Sequence, residues 1–239
     1  MTLHVIIVPI LKDNYAFIAA SGNECAVIDP GEPVHVIYEL ERLSIKPKYI
    51  LCTHHHGDHI GGAAALRDKY GAQMIGPKAE EHKIPSMDKG IQGGDIITLG
   101  DVTFNVIDTP GHTAGHICFH APSEKTLFCG DVLFSMGCGR VMEGTAKQMW
   151  DSLSKIAALP DDTKIYCGHE YTVRNGEFCS SVEKDNADIQ ARLSQARKLR
   201  ANDQPTIPTT IALEKKTNVF LRTGRAESFA VLRRLKDNF

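Results

Sequence analysis

The chain has 239 residues, 27 Lys and Arg against 29 Asp and Glu, a formal net charge of −2 and 42% hydrophobic residues, the composition of an ordinary globular protein. No stretch approaches the roughly 20 apolar residues that span a bilayer, and seven cysteines, an odd number without a Cys-x-x-Cys pair, argue against a disulfide framework or a thiolate zinc finger. The near-neutral balance excludes the strongly basic face of a nucleic-acid binder, although residues 170–239 hold 13 basic against 9 acidic side chains while residues 1–169 hold 14 against 20.

The opening run Val5–Leu11 lacks a basic leader and a small-residue cleavage site, so it reads as a first strand and the chain as cytoplasmic, with no membrane partner. Further short apolar runs bounded by Gly, Pro and Asp predict strands at Tyr15–Ala20, Ala26–Ile28, Tyr49–Cys52, Val102–Ile107, Ile117–Phe119, Leu127–Cys129 and Lys164–Cys167. Helical spacing predicts helices over Val34–Leu43 and over Thr145–Leu159, the latter behind a Thr145 cap. From about residue 171 the pattern turns helical, with Ile189, Leu193, Ala196 and Leu199 on one face, a Pro205–Pro208 loop, and a last helix near Ala226–Leu235. The expected organisation is a catalytic domain over residues 1–170 and a helical C-terminal region over residues 171–239. Several cysteines fall inside the strand-like runs, where a reduced thiol acts as a small hydrophobe.

Thr53-His54-His55-His56-Gly57-Asp58-His59 follows the Tyr49–Cys52 strand directly, where side chains project from a strand-end loop. So many imidazole and carboxylate groups are costly to bury unpaired, and a metal ion removes that cost. Three other segments repeat the strand-end context and contribute His112, Asp131 and His169. With His54, His56, Asp58 and His59 they make seven candidate ligands. That is too many for one tetrahedral ion and suits two ions sharing a carboxylate. Nitrogen and oxygen donors of this kind take zinc, iron or manganese. His4, His35, His82 and His120 lack this context and read as surface or packed residues; His55 and His116 stay open, His116 as a group that orients a ligand. Asp29 and Asp108, each ending a strand, are either orienting partners or turn formers.

These segments resemble the successive metal motifs of the metallo-β-lactamase superfamily, and Thr53–His59 matches its THxHxDH element. The resemblance implies an α/β fold, a four-layer αββα sandwich, with His54, His56 and His112 on one divalent ion, Asp58, His59 and His169 on a second, and Asp131 between them. Zinc is the expected metal. Asp58 and Asp131 are the expected catalytic carboxylates. Ions so placed would lower the pKa of water from 15.7 toward about 7 and polarise a carbonyl, and a thioester suits them because a thiol of pKa roughly 8.5 leaves without an acid.

The superfamily hosts many substrates. Gly137-Cys138-Gly139-Arg140, Gly168–Thr172, Lys215–Asn218, Phe220–Arg222 and Arg233–Asp237 are similar to glyoxalase II, the hydroxyacylglutathione hydrolases, along nearly the whole chain. That resemblance implies hydrolysis of S-(2-hydroxyacyl)glutathione, such as S-D-lactoylglutathione in the second step of methylglyoxal detoxification; a monomer is expected. Arg140, Tyr171, Arg233 and Lys236 would bind the glutathione moiety, a ligand with two carboxylates and a net charge near −1. One departure is Val141-Met142, where many relatives carry an aromatic pair. The rival reading is a glutathione persulfide dioxygenase on the same scaffold, which uses one iron; the full set of ligands for a second ion favours hydrolysis.

Overall fold

The computed structural model describes residues 2–239. Its strands are β1 (His4–Ile10), β2 (Asn14–Ser21), β3 (Glu24–Ile28), β4 (Pro47–Leu51), β5 (Gln73–Pro77), β6 (Lys89–Ile91), β7 (Ile96–Leu99), β8 (Val102–Asp108), β9 (Ile117–Ala121), β10 (Thr126–Gly130), β11 (Leu133–Phe134), β12 (Gly137–Cys138), β13 (Lys164–Cys167) and β14 (Thr209–Thr210). The α-helices are α1 (Val34–Arg42), α2 (Gly57–Ile60), α3 (Ala63–Tyr70), α4 (Ala146–Ala157), α5 (Thr172–Val182), α6 (Ala187–Arg200), α7 (Ile211–Thr217) and α8 (Ala226–Asp237). No described helix is long and apolar enough to cross a membrane.

Two six-stranded sheets form, in the orders β1-β2-β3-β4-β5-β6 and β14-β13-β10-β9-β8-β7, and β11 pairs with β12 as a small hairpin. Alternation along β2 shows why two sheets need four layers. Tyr15, Phe17 and Ala19 enter one apolar cluster, where Phe104, Phe119 and Phe128 of the second sheet meet them. The intervening Ala16 and Ile18 point into a separate cluster beneath α1 and α3, with Val36, Leu40 and Leu66. On the outer side of the second sheet, α4 buries Met149, Leu153 and Ile156 behind a Thr145–Gln148 capping box. The layers are therefore helix, sheet, sheet, helix, as the sequence implied.

The strands read from the sequence all occur, their ends moved by up to two residues. β5, β6, β7, β11, β12 and β14 carry too short a pattern to stand out. The C-terminal segment is not wholly helical, because β14 pairs with β13 at the edge of the second sheet. Glu214, fully buried on α7, accepts hydrogen bonds from the Met136 backbone N–H and the Asn218 amide. Among the described histidines outside the strand-end segments, His4, His35 and His82 are exposed and His120 is packed.

Candidate metal centre and its cleft

The segments after β4, β8, β10 and β13 bring all seven candidate ligands to one place, and the orientation of each ring follows from the hydrogen bond at its far nitrogen. Asp29, which follows β3 with a left-handed φ of 49°, accepts the Thr53 backbone N–H at 2.7 Å and the Thr53 hydroxyl at 2.7 Å. Having given its proton to Asp29, Thr53 Oγ1 can only accept from His54 Nδ1, 3.0 Å away. His54 Nε2 is thereby left with a lone pair, 3.1 Å from His56 Nδ1. His112 Nδ1 donates to the Arg140 carbonyl at 2.9 Å, so its Nε2 presents a second lone pair 3.0 Å from the same His56 nitrogen. Burial, then neighbouring imidazoles, push His54 well below the ordinary histidine range and His56 below it, keeping both neutral.

The second group is richer in carboxylates. His59 Nδ1 donates to Asp29 Oδ2 at 3.1 Å and His169 Nδ1 to Asp13 Oδ1 at 3.0 Å, which leaves their Nε2 atoms facing each other at 3.4 Å. Asp58 Oδ2 lies 3.3 Å from His169 Nε2 and is held by the Asn14 amide at 2.9 Å. Asp131 stands between the groups, 3.3 Å from Nε2 of both His59 and His169 and 3.5 Å from His112 Nε2. Burial opposes charge on His59 and His169, but Asp131 and its fellow carboxylates outweigh it, holding His59 well above the usual range and His169 at about 10. Asp131, although buried, is drawn well below the carboxylate range by the same two rings.

Convergent lone pairs and carboxylates with this demand for positive charge fit a cation. Oδ1 of Asp131 is buried without a hydrogen bond, a deficit that costs about 1–3 kcal/mol when left uncompensated. The donor atoms of His54, His56 and His112, and separately those of Asp58, His59 and His169, lie within 4.8 Å of one another. Neutral imidazoles and carboxylates are the donors of borderline divalent metals, and the bonds at the far nitrogens are the supports such ligands need. Glycine permits the approach: a Cβ on Gly168 would stand 2.5 Å from the His59 ring and 2.6 Å from Asp131 Oδ1.

His116 is fully buried, stacked on His54 at 4.9 Å, and its Nε2 accepts the Asp131 backbone N–H at 3.2 Å, so it supports the Asp131 backbone. His55 turns away, its N–H and Nδ1 both 2.8 Å from Glu80 Oε2, while Glu80 Oε1 accepts from Gly115. Of the two strand-ending acids, Asp29 orients His59, whereas Asp108 accepts from the Gly93 backbone and shapes a turn. Sequence reading missed Asp13, Asn14 and Glu80. Asp13-Asn14, at the turn between the first two strands, was the available signal for the first pair.

The cluster floors a cleft of about 620 Å³ whose other wall carries Phe134, Met142, Tyr171, Arg140, Arg174, Arg233 and Lys236. All four residues expected to bind the organic ligand therefore border it. Tyr171 stacks on His169 at 4.7 Å and 8°, and burial followed by Asp13 pushes its hydroxyl pKa far up, so it keeps its proton. Arg233 is 6% exposed and donates to the Cys138 carbonyl at 2.9 Å. Lys236, half-buried near the Phe178 and Phe239 rings, is lowered to about 8 by burial and by Arg174 and Arg233. Arg140 extends outward while its carbonyl orients His112. Met142 is 62% exposed.

Comparison with known proteins agrees with this geometry. Residues 11–169 match the metallo-β-lactamase superfamily and residues 170–239 match the hydroxyacylglutathione hydrolase C-terminus. A hydroxyacylglutathione hydrolase of Pelagibacter ubique is 45% identical over 239 residues, covering 99% of this chain and 100% of the relative. Another of that name from Ruegeria pomeroyi is 42% identical over 255 residues and covers 100% of both. Among solved structures, ETHE1 from Myxococcus xanthus superposes with a TM-score of 0.73 at 25% identity, over 98% of this chain and 90% of that one. The BLEG-1 B3 metallo-β-lactamase gives 0.71 at 26% identity, over 91% and 99%.

Proposed function

The chain belongs to the metallo-β-lactamase superfamily and, within it, to the hydroxyacylglutathione hydrolases, and from that membership we propose that its cleft cleaves S-(2-hydroxyacyl)glutathione thioesters, S-D-lactoylglutathione among them. The observation that carries the assignment to this site is a cleft whose floor is lined by five of the seven converged donors, His56, Asp58, His112, Asp131 and His169, and whose wall is cationic. On this reading residues 1–170 supply the hydrolytic centre and residues 171–239 most of the glutathione-binding wall.

His54, His56 and His112 would hold one divalent ion, Asp58, His59 and His169 a second, with Asp131 shared. Zinc is the expected metal, and iron or manganese suits the same donors. Such ions supply water activation near neutral pH and polarisation of the thioester carbonyl. The chain's own groups do the rest. Asn14 fixes Asp58 at the cleft floor, and His169 holds its carboxyl far below the usual carboxylate range, so it stays an anion that can orient a water by accepting a hydrogen bond. Tyr171 retains its hydroxyl proton and can donate a hydrogen bond to the ligand. Arg140, Arg233 and Lys236 set a positive potential that orients an anionic thiol moiety away from the floor. The leaving thiol, of pKa roughly 8.5, departs as thiolate without a dedicated acid. A monomer suffices, since one chain completes the cleft, and seven unpaired cysteines suit the reducing cytoplasm.

The test is a steady-state assay of purified protein on S-D-lactoylglutathione alongside metal analysis. Turnover with close to two ions per chain is expected. Metal-loaded protein that is inert on this thioester, or that consumes oxygen with glutathione persulfide, would overturn the reading.

A further inference from the structure

Four cations border the cleft, and their counter-charges are unevenly shared. Asp237 Oδ1 lies 2.9 Å from Arg233 Nη2, 3.2 Å from Arg233 Nε and 3.9 Å from Arg140 Nε. Arg233 also spends Nη1 on the Cys138 carbonyl and faces the Phe220 ring at 5.1 Å. Its guanidinium is thus largely committed inside the protein. Arg174 and Lys236, by contrast, have no carboxylate within 4.0 Å among the described residues. The contact that joins them is Lys236 Nζ donating to the Arg174 carbonyl at 3.1 Å. Arg174 is exposed and stands on α5 three positions after Tyr171, so Tyr171, Arg174 and Asn175 all line the cleft from one helix face. Two like charges on one wall without a paired carboxylate repel; burial, Arg174 and Arg233 together lower Lys236 to about 8.

An anion placed between such a pair relieves the repulsion, and a planar guanidinium grips a carboxylate with two parallel hydrogen bonds where an ammonium acts as a point charge. We infer that Arg174, together with Lys236, clamps one of the two carboxylates of the glutathione moiety, making Arg174 a residue that determines specificity for the anionic thioester. The inference rests on the glutathione-thioester reading. It also accounts for how the wall works with Met142, which lacks a hydrogen-bond donor, in the loop after Gly139: the grip comes from α5 instead.

The experiment compares wild type with Arg174→Ala and Arg174→Lys on S-D-lactoylglutathione and on an uncharged thioester, the lactoyl ester of N-acetylcysteamine. Binding of the non-hydrolysed thioether S-methylglutathione is measured by calorimetry on the same metal-loaded proteins. Arg174→Ala should raise KM for the glutathione thioester by about tenfold with kcat little changed, and weaken the thioether to a similar degree, as loss of one charge-assisted contact does. The preference for anionic over neutral thioester should fall in proportion, and Arg174→Lys should recover part of it. Since Arg174 is exposed, an unaltered melting temperature separates this effect from misfolding. A wild type that hydrolyses S-D-lactoylglutathione while Arg174→Ala keeps the same KM and thioether affinity would overturn the clamp and leave the enzyme assignment intact. Thioether binding that depends on Arg174 in a protein inert on the thioester would overturn the assignment and leave the clamp; absence of both binding and turnover would end both.

Discussion

The floor and the wall of the cleft are built on opposite terms. On the floor, His54, His59, His112 and His169 each have the far nitrogen tied to an oxygen, and all four are at most 5% exposed. On the wall, Arg140 and Arg174 are exposed, Lys236 is half-buried, and only Arg233 is locked in place. A buried, mutually supporting polar network fails as a unit when one member is removed, whereas loosely held surface charges contribute separately and modestly. Substitutions on the floor should therefore cost orders of magnitude, and those on the wall small factors.

The largest effect is expected at Asp131, which touches both groups of rings. Asp131→Ala should remove most bound metal together with activity, a loss of about a thousandfold or more in kcat/KM if the ions are the principal source of rate; a fully active variant stripped of metal would break the contrast. One step out, Asp29 serves both groups, through Thr53 to His54 and directly to His59, while Asp13 serves only His169. Asp29→Asn and Asp13→Asn should each weaken metal binding about 10–100-fold, the usual range for such supports. Metal titration should show Asp29→Asn disturbing both sites and Asp13→Asn one. Equal stoichiometric loss in the two variants would show that the groups do not bind separately.

On the wall, the sign of the pH effect follows from Lys236. Its folded pKa of about 8 lies below the ordinary lysine value, so it is charged below about pH 8 and loses charge as pH rises through that value. KM for the glutathione thioester should accordingly rise a few-fold between pH 7 and pH 9.5, the size of one partly exposed charge contact. Lys236→Gln should show the high KM throughout and a flatter profile, which separates the lysine from titration of the substrate's own amine. The smallest effect belongs to Met142→Tyr, where one neutral hydrogen bond, about 0.5–1.5 kcal/mol, would lower KM by roughly two- to tenfold. A larger gain than that would mean the wall is less tolerant than its exposure suggests.

The same division decides what the sequence could disclose. The floor ligands were legible because each follows an apolar strand on a short loop, so chemistry and local structure are written together, as in Thr53–His59 and Tyr166–His169. Their supports were not. Asp13 meets His169 across 156 positions and Glu80 meets His55 across 25, pairings fixed by how the strands and loops assemble rather than by local pattern. Residues 63–99 hold α3 and three short strands whose few positions leave no clear period, and there the sequence was silent. Arg174 looks like any surface cation until α5 turns it toward the cleft.

The seven cysteines, all buried and unpaired, have a consequence for an enzyme that releases a thiol. Burial raises Cys25 and Cys138 to about 11 and Cys118, Cys167 and Cys179 to about 12, with Cys52 and Cys129 well above the ordinary thiol value. At neutral pH a thiol of pKa 11 is ionised in about one molecule in ten thousand, and thiolate is the species that attacks disulfides and electrophiles. Cys138 is the one cysteine bordering the cleft, and it is 4% exposed. The protein can therefore discharge thiolate after thiolate beside oxidised glutathione or reactive aldehydes without its own sulfurs entering the exchange, an inertness that guards it against self-inactivation.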